Sequence, residues 1–311
     1  MLTAILISTA LLIITIAILV ACSAMRRFSA KRRDGLKRIS QLFQLLEIIP
    51  QHRGMSNALL QGNLSFKDKR HTLQGKIDSQ LESLSKEYPE LVTMMRFKAI
   101  QHDWDSITQN FSSLTGPQSF TQHTCVIAQL LELISDIGNQ SKLHNSQDPK
   151  LRDLLEIGIN ILPPVTEALG QARGIGAGAA TQEKLSPQNR SKLRYLHNQA
   201  NTICQNTAEI LGQNQASSGT IDFTQCQKSI GEFLHTLDAE LLNAEQITIE
   251  SELYFSIASD AIGHSFEQLY QVINQASMAL DQECGGVNRR LNIARVSTLA
   301  SGALLLTLLL P

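Results

Sequence analysis

The chain has 311 residues, a formal net charge of −1 and a charged fraction of 18% against a hydrophobic fraction of 43%. The apolar content excludes disorder for the bulk of the chain, and the balanced charge argues against a nucleic-acid-binding protein, which needs a basic face. Proline is scarce, with eight residues, which favours long helices over a turn-rich β fold. The five cysteines form no CxxC pair, which argues against a zinc site or a disulfide framework.

The N-terminal segment is apolar enough to cross a membrane. Residues 2–21 carry no charge, and at about 1.5 Å per residue they span a bilayer core of about 30 Å. The basic residues all follow this segment, at Arg26, Arg27, Lys31, Arg32, Arg33, Lys37 and Arg38. The positive-inside rule therefore predicts a single N-terminal span, residues 1–25, in a bacterial-type inner membrane, with the main domain cytoplasmic. The alternative is a lipoprotein, because residues 19–22 resemble a lipobox, but the positive region that precedes such a signal is missing.

The interior of the chain, residues 26–290, carries apolar residues at helical spacing nearly throughout. Breaks in this spacing fall near residues 62–65, 87–90, 113–119, 147–149, 185–188, 213–220 and 246–249. They leave about eight helices, and no stretch alternates with period two for long enough to predict a sheet. The sequence therefore predicts an all-α fold.

An internal repeat divides this interior into two similar halves. An offset of 120 residues superposes Glu47, Gln51, Arg53, Gly54, Arg70 and Leu73 on Glu167, Gln171, Arg173, Gly174, Arg190 and Leu193. With about eight helices, the repeat predicts two four-helix bundles in tandem, residues 26–146 and residues 147–290. Residues 291–311 form a short apolar C-terminal segment, and the sequence leaves open whether it also enters the membrane.

An arginine occupies a core position in one helix of each half. The apolar seams step by three and four residues through Ile39, Leu42, Leu46, Ile49, Arg53, Ser56 and Leu60, and through Ile159, Leu162, Thr166, Leu169, Arg173, Gly176 and Ala180. An unpaired guanidinium in such a seam costs several kcal/mol of desolvation. Either a carboxylate, from Glu47 or Glu167, or a bound planar oxyanion would offset that cost. The small residues that follow Arg173 favour the oxyanion, because they leave space.

Two segments that contain these arginines resemble a known family. Residues 48–60, with Pro50-Gln51-His52-Arg53-Gly54 at their centre, resemble the start of the nitrate- and nitrite-sensing (NIT) domain, and residues 162–174 resemble its second signature. The resemblance covers roughly residues 36–250. It implies two helical bundles whose arginines bind nitrate or nitrite at the bundle junction and change the activity of an output module.

The resemblance also implies a set of ligand-binding residues. Arg53 and Arg173 match the family's motif arginines, and the predicted site adds the small residues beside them, Gly54, Ser56, Gly174 and Gly176. The family often has a charged residue just before the first Arg-Gly, and this chain has His52 there. That departure affects the expected affinity and ligand identity.

The sequence carries no histidine-kinase motif, receptor signalling hairpin or nucleic-acid-binding tail. We therefore expect a membrane-anchored sensor that signals through an unidentified partner protein or has lost its output, and the sequence leaves a homodimer open. No nucleophile has an orienting base and no metal-ligand spacing occurs, so we predict no enzyme, no cofactor and no metal site. The alternative function is a structural or scaffold membrane protein that has the helical fold but binds no ligand.

Overall fold

A computed structural model describes residues 2–146, 148–213 and 222–309. These residues form nine α-helices, α1 (Leu2–Leu60), α2 (Lys67–Glu87), α3 (Met95–Gln109), α4 (Gly116–Gln140), α5 (Pro149–Glu156), α6 (Leu162–Thr181), α7 (Pro187–Gln213), α8 (Thr224–Leu237) and α9 (Ser251–Leu309). A π-helical segment (Ile157–Ile161) joins α5 to α6, and another (Asp238–Leu242) extends α8.

The predicted all-α fold is confirmed, since the described residues contain helices and no strand. Counting α5, its π-helical segment and α6 as one rod gives the eight helical rods that the spacing predicts. The predicted breaks fall between these rods, except that the break at residues 213–220 lies almost wholly outside the described residues. In addition, α1 and α9 each continue without a break into the apolar segments near the ends of the chain.

Local capping explains where several helices begin. Thr115 and Gln118 form a capping box at the start of α4, in which the Thr115 side chain accepts from the Gln118 N–H. The Asp148 side chain caps α5 in the same way, immediately before a proline at the first helical position. At α7 the predicted start is found, because the Asn189 N–H donates to Ser186 Oγ and Pro187 follows the cap.

The described helices share one continuous apolar core, and their contacts fall into two sets, α1 to α4 and α5 to α9. α1 contacts α2 and α4, and α3 contacts α4, while α6, α7, α8 and α9 contact each other in turn. The predicted seam of α1 is buried from Ile39 to Ser56, including Arg53, and is partly exposed at Leu60. The seam of α6 is buried except at Arg173, which is partly exposed. The extensive contact between α1 and α9 joins the two sets.

The pairing of α1 with α9 is antiparallel along both helices. Tyr270 contacts Glu47, Arg32 contacts Glu283, and Leu12 lies beside Gly302, so residue numbers rise on one helix as they fall on the other. Arg32 is only 2% exposed and donates to both carboxylate oxygens of Glu283, at 2.9 and 2.8 Å. We call this two-helix segment, residues 26–49 with residues 264–290, the stem.

Beyond the stem the two apolar helix ends lie side by side and expose their side chains. Leu6, Ile7 and Ile13 on α1 are exposed, as are Val296 and Leu299 on α9. Each end contains a stretch that is long and apolar enough to cross a bilayer. Soluble proteins rarely expose a continuous apolar surface of this kind.

α6 packs closely against α9 at Gly176, because this residue has no side chain. A Cβ atom at Gly176 would lie 2.3 Å from the ring of Tyr254, a buried side chain whose hydroxyl donates to the Ala172 carbonyl. At Gly178, on the same helix, a Cβ atom would meet nothing within 4 Å. The glycines after Arg173 therefore have different reasons to be small.

We expect Gly176→Ala to destabilise the protein by ~1–3 kcal/mol, because the added methyl group overlaps a buried ring that has no room to shift. The matched variant Gly178→Ala should stabilise it by up to ~1 kcal/mol, through the better helix propensity of alanine. Thermal unfolding of the full-length chain in detergent, followed by circular dichroism, measures both changes. Equal effects of the two substitutions would contradict the packing described here.

Candidate functional site

A cleft of about 1450 Å³ lies where the two sets of helices meet. Its walls come from α1, α6 and the first turns of α9, with Phe120 contributed by α4. We call it the junction cleft. Of the six ligand-binding residues predicted from sequence, Gly54, Arg173 and Gly174 line it.

Arg53 lies next to the cleft in a buried ion pair between the two halves of the chain. Its Nη1 atom donates to Glu167 Oε1 at 2.6 Å and its Nη2 atom donates to Glu167 Oε2 at 3.2 Å. Nη1 also donates to Thr124 Oγ1 at 3.0 Å, and the guanidinium lies over the Phe120 ring, 4.7 Å from its centroid. The carboxylate partner considered from the sequence is therefore present for this arginine.

Arg173 lines the cleft and has no such partner. Its Nη1 atom donates to Ser259 Oγ at 3.0 Å, and its guanidinium lies 4.7 Å from the centroid of the Phe255 ring. Among the described residues no carboxylate oxygen lies within 4 Å of its nitrogens. Burial, with the positive charge of Arg53 nearby, lowers the pKa of Arg173 to about 10, so the side chain is charged at neutral pH.

The two arginines have equivalent surroundings. Each guanidinium lies over a phenylalanine ring and donates to the hydroxyl one helical turn later, Phe120 with Thr124 on α4 and Phe255 with Ser259 on α9. The sequence did not reveal these contacts, because the two Phe-x3-Ser/Thr pairs are separated by 135 residues, whereas the arginines are separated by 120. A search for the repeat that allowed an insertion would have found them.

The repeated glutamates have different partners. Glu167 binds Arg53 and also accepts from Gln171 Nε2 at 2.8 Å, one turn away on α6. Glu47, its counterpart in the first half, lines the cleft and accepts a hydrogen bond from the Tyr270 hydroxyl at 2.8 Å. Burial, together with this hydrogen bond, raises the pKa of Tyr270 above its usual value.

The small residues around the two arginines, those of the predicted site and Gly170, serve two purposes. A Cβ atom at Gly170 would lie 3.2 Å from Arg53 Nη2, and one at Gly174 would lie 2.8 Å from the Phe120 ring, so both let side chains from the first half approach α6. Gly54 has open space around it. Ser56 and Gly176 do not line the cleft, since Ser56 Oγ accepts from Arg70 Nε at 2.9 Å and Gly176 packs on Tyr254.

A buried histidine pair lies behind Arg53 and joins α1 to α4. His123 Nδ1 donates to the Ser119 carbonyl at 2.7 Å, which leaves His123 Nε2 to accept from His52 Nδ1 at 2.8 Å. Burial lowers the pKa of His52 to about 2 and that of His123 to about 4, and nearby cations act in the same direction. Both rings are therefore neutral at neutral pH, and His52 adds no charge to the cleft.

Comparison with known proteins gives a family and a structural neighbour. The family model described as "nitrate and nitrite sensing" matches residues 45–279, about three quarters of the chain. The solved structure of the NasR transcription antiterminator is similar in fold, with a TM-score of 0.59 and 15% sequence identity over 91% of this chain and 80% of that one. No protein of curated function matches the chain.

The unequal partners of the two arginines generate a stability prediction. Arg53→Met leaves a buried carboxylate at Glu167 without its cation, which should cost ~3–5 kcal/mol and lower the melting temperature by roughly 6–20 °C. Arg173→Met removes a charge that no described carboxylate contacts, so the ligand-free protein should keep or raise its melting temperature. Thermal unfolding of the full-length chain without added anions measures both.

Arg194→Met, on the exposed face of α7, controls for the loss of an arginine as such and should change nothing. A fall for Arg173→Met as large as that for Arg53→Met would contradict the arrangement, because it would mean that a carboxylate also holds Arg173.

Proposed function

The chain belongs to the nitrate- and nitrite-sensing family, and from this premise we propose that it binds nitrate or nitrite in the junction cleft. We further propose that it is anchored in a membrane and signals through a partner protein, with a homodimer as one arrangement. Because the family is one of sensors, we propose no catalytic activity and no cofactor.

The observation that carries the proposal is the guanidinium of Arg173, which faces the cleft without a carboxylate. A guanidinium presents a planar fork of N–H donors, and a planar oxyanion accepts two of them with charge-assisted hydrogen bonds. The Phe255 ring lies against one face of the Arg173 guanidinium. A bound anion would offset the desolvation that lowers the pKa of Arg173.

The other predicted site residues have different roles in this proposal. Arg53 is neutralised by Glu167, and it contacts the ligand directly only if Glu167 moves, because Glu167 occupies its fork. Gly54 and Gly174 line the cleft without side chains that would fill it. Ser56 and Gly176 act through packing, since they lie outside the cleft.

The helix ends support membrane anchoring. Their exposed apolar surfaces begin next to exposed basic residues on both helices, Arg26, Arg27 and Lys31 on α1 and Arg289, Arg290 and Arg295 on α9. Because the helices are antiparallel, we propose two adjacent spans rather than the single N-terminal span expected from the sequence. The basic residues then place the helical domain in the cytoplasm and both chain ends outside.

The continuity of α1 and α9 supports signalling along the stem. Arg53 and the membrane-side end of the stem, near residue 26, lie on one helix about 40 Å apart at 1.5 Å per residue. A ligand that moves α6 against α9 would shift the stem helices relative to each other. A scaffold protein without a ligand stays the alternative, and anion binding separates the two functions.

We expect nitrate or nitrite to stabilise the full-length chain in detergent. At one hundred times its dissociation constant a ligand contributes ~2.7 kcal/mol, which raises the melting temperature by roughly 5–10 °C for a chain of this size. Arg173→Met should abolish the shift, and Arg173→Lys should not restore it, because an ammonium lacks the planar fork.

Chloride at equal concentration controls for ionic strength, and Arg194→Met should respond to nitrate as the wild type does. If neither nitrate nor nitrite raises the melting temperature above the chloride value, the sensor proposal is wrong and the scaffold alternative is favoured.

Membrane topology is testable through Cys125, which is exposed, whereas the other four cysteines are buried. A membrane-impermeant maleimide should label Cys125 only after spheroplasts are permeabilised, with Cys125→Ser as the control. Alkaline phosphatase fused to the C-terminus of the full chain should be active, because the enzyme matures only outside the cytoplasm. Labelling of Cys125 in intact spheroplasts would place the domain on the outer side and overturn the orientation.

A further inference from the structure

The basic residues in and next to the stem fall into two groups, according to whether a carboxylate lies nearby. The residues closer to the helical domain all have one, in the pairs Arg32 with Glu283 at 2.8 Å, Arg33 with Asp34 and with Asp281 at 3.9 Å, Lys37 with Glu87 at 3.1 Å and Arg38 with Glu90 at 3.2 Å. At the membrane-side end the basic residues are exposed, and none lies within 4 Å of a carboxylate oxygen of the described residues. These unpaired residues are Arg26, Arg27, Lys31, Arg289, Arg290 and Arg295. The end of the stem therefore carries positive charge that the protein itself does not balance.

Four of the unpaired arginines lie at one level of the two-helix stem. Arg32 on α1 faces Glu283 on α9. Six residues further toward the membrane-side end, each of these antiparallel helices carries two consecutive arginines. At about 1.5 Å per residue all four lie within ~3 Å of the same level, and consecutive residues point about 100° apart around a helix, so the guanidinium groups are spread around the stem. We call these four residues the arginine ring, Arg26, Arg27, Arg289 and Arg290.

The arginine ring lies where the exposed apolar surface begins. On α1 residues 2–25 carry no charge, and Met25, directly before the ring, is exposed. On α9 the exposed apolar side chains begin at Ile293, and Arg295 is long enough to extend its guanidinium back toward the ring. In a bilayer the polar headgroups lie just outside the hydrocarbon core. The ring is therefore at the level of the lipid phosphates when the apolar helix ends cross a membrane.

Charge is also segregated along the molecule as a whole. Residues 22–33 and 284–299 together hold eight basic residues and no acidic residue. Because the chain has 27 basic and 28 acidic residues, the remainder has 19 basic and 28 acidic residues and a formal charge of −9. An anionic surface therefore attracts the end of the stem and repels the helical domain.

We propose that the arginine ring binds the phosphate groups of anionic phospholipids in the leaflet that faces the helical domain. This inference rests on the proposed membrane anchoring and adds a class of lipid to it. A guanidinium donates two parallel hydrogen bonds to a phosphate group, and an anionic headgroup offsets the repulsion among four neighbouring cations. A phospholipid fits better than a soluble phosphate compound, because the apolar surface next to the ring takes the acyl chains. Orientation in the membrane needs basic residues on one side only, whereas lipid binding also needs them free of carboxylates, as they are here.

The test is native mass spectrometry of the full-length chain in nonionic detergent, titrated with phosphatidylglycerol or with phosphatidylcholine of the same acyl chains. The wild type should bind phosphatidylglycerol at least roughly tenfold more tightly, and this preference should fall as the salt concentration rises. Changing all four ring residues together should remove most of the preference, because the acyl chains of the two lipids are the same. The changes are Arg26→Gln, Arg27→Gln, Arg289→Gln and Arg290→Gln.

The two halves of the ring are tested separately by two smaller variants. Arg26→Gln with Arg27→Gln, and Arg289→Gln with Arg290→Gln, should each weaken phosphatidylglycerol binding by at least roughly threefold, because both helices contribute. Circular dichroism should show unchanged helical content in both, because all four side chains are exposed. An effect of only one of the two pairs would overturn the ring.

A matched control changes four exposed basic residues outside the stem to glutamine, Lys76, Lys98, Arg152 and Arg194. It removes the same formal charge as the four-residue ring variant and should keep the preference for phosphatidylglycerol. If it loses the preference as fully as the ring variant does, the net charge of the chain determines lipid binding and the inference is wrong.

The outcomes separate this inference from the proposed function. If the wild type binds neither lipid, membrane anchoring and the inference are both wrong. If it binds both lipids equally tightly, membrane anchoring stands and the inference is wrong. Glycerol 3-phosphate in large excess should leave phosphatidylglycerol bound, and displacement by it would assign the ring to soluble phosphate compounds instead of lipids.

Discussion

The bidentate ion pair between Arg53 and Glu167 is the constraint that shapes the junction of the two halves. Both side chains are almost completely buried, with Arg53 1% and Glu167 6% exposed, so each would carry a large desolvation cost without the other. The fork geometry fixes the distance and orientation of α6 relative to α1. This close packing requires glycine at positions 170 and 174, because a side chain there would press against the guanidinium or against the Phe120 ring.

The duplication of the helical unit creates two similar arginine environments, and one local difference makes them chemically unlike. Arg53 lies in a closed pair whose charges cancel, whereas Arg173 has an aromatic ring and a hydroxyl but no carboxylate. The Glu47 carboxylate, the counterpart of Glu167 in the repeat, accepts from the Tyr270 hydroxyl instead.

The site is connected to the rest of the molecule by the longest elements of the fold. α1 lies at the N-terminal end of the described chain and α9 at its C-terminal end, and the two helices run antiparallel from the cleft through the stem. Pro50 lines the cleft within α1, where it removes one backbone N–H from the helix ladder close to Arg53. In the proposed function, a small displacement at this position passes along the stem, because both stem helices are continuous.

Local patterns were enough to predict the all-α fold, the positions of most breaks and the seam positions of Arg53 and Arg173. These features depend on helical periodicity, on capping residues such as Thr115 and Asp148, and on the repeat, and all three can be read from the sequence alone. The apolar N-terminal segment was also predictable, because its length and its lack of charge do not depend on what it contacts.

Tertiary structure alone decided which arginine has a carboxylate. Glu47 and Glu167 occupy equivalent places in the repeat, so nothing in the sequence distinguishes their partners. Glu167 pairs with Arg53 because α6 packs beside α1, whereas Glu47 contacts Tyr270, 223 residues away along the chain, because α9 folds back along α1. The same fold brings the C-terminal apolar segment beside the N-terminal one. Contacts between distant segments depend on how helices pack, and packing is not a property of any one stretch of sequence.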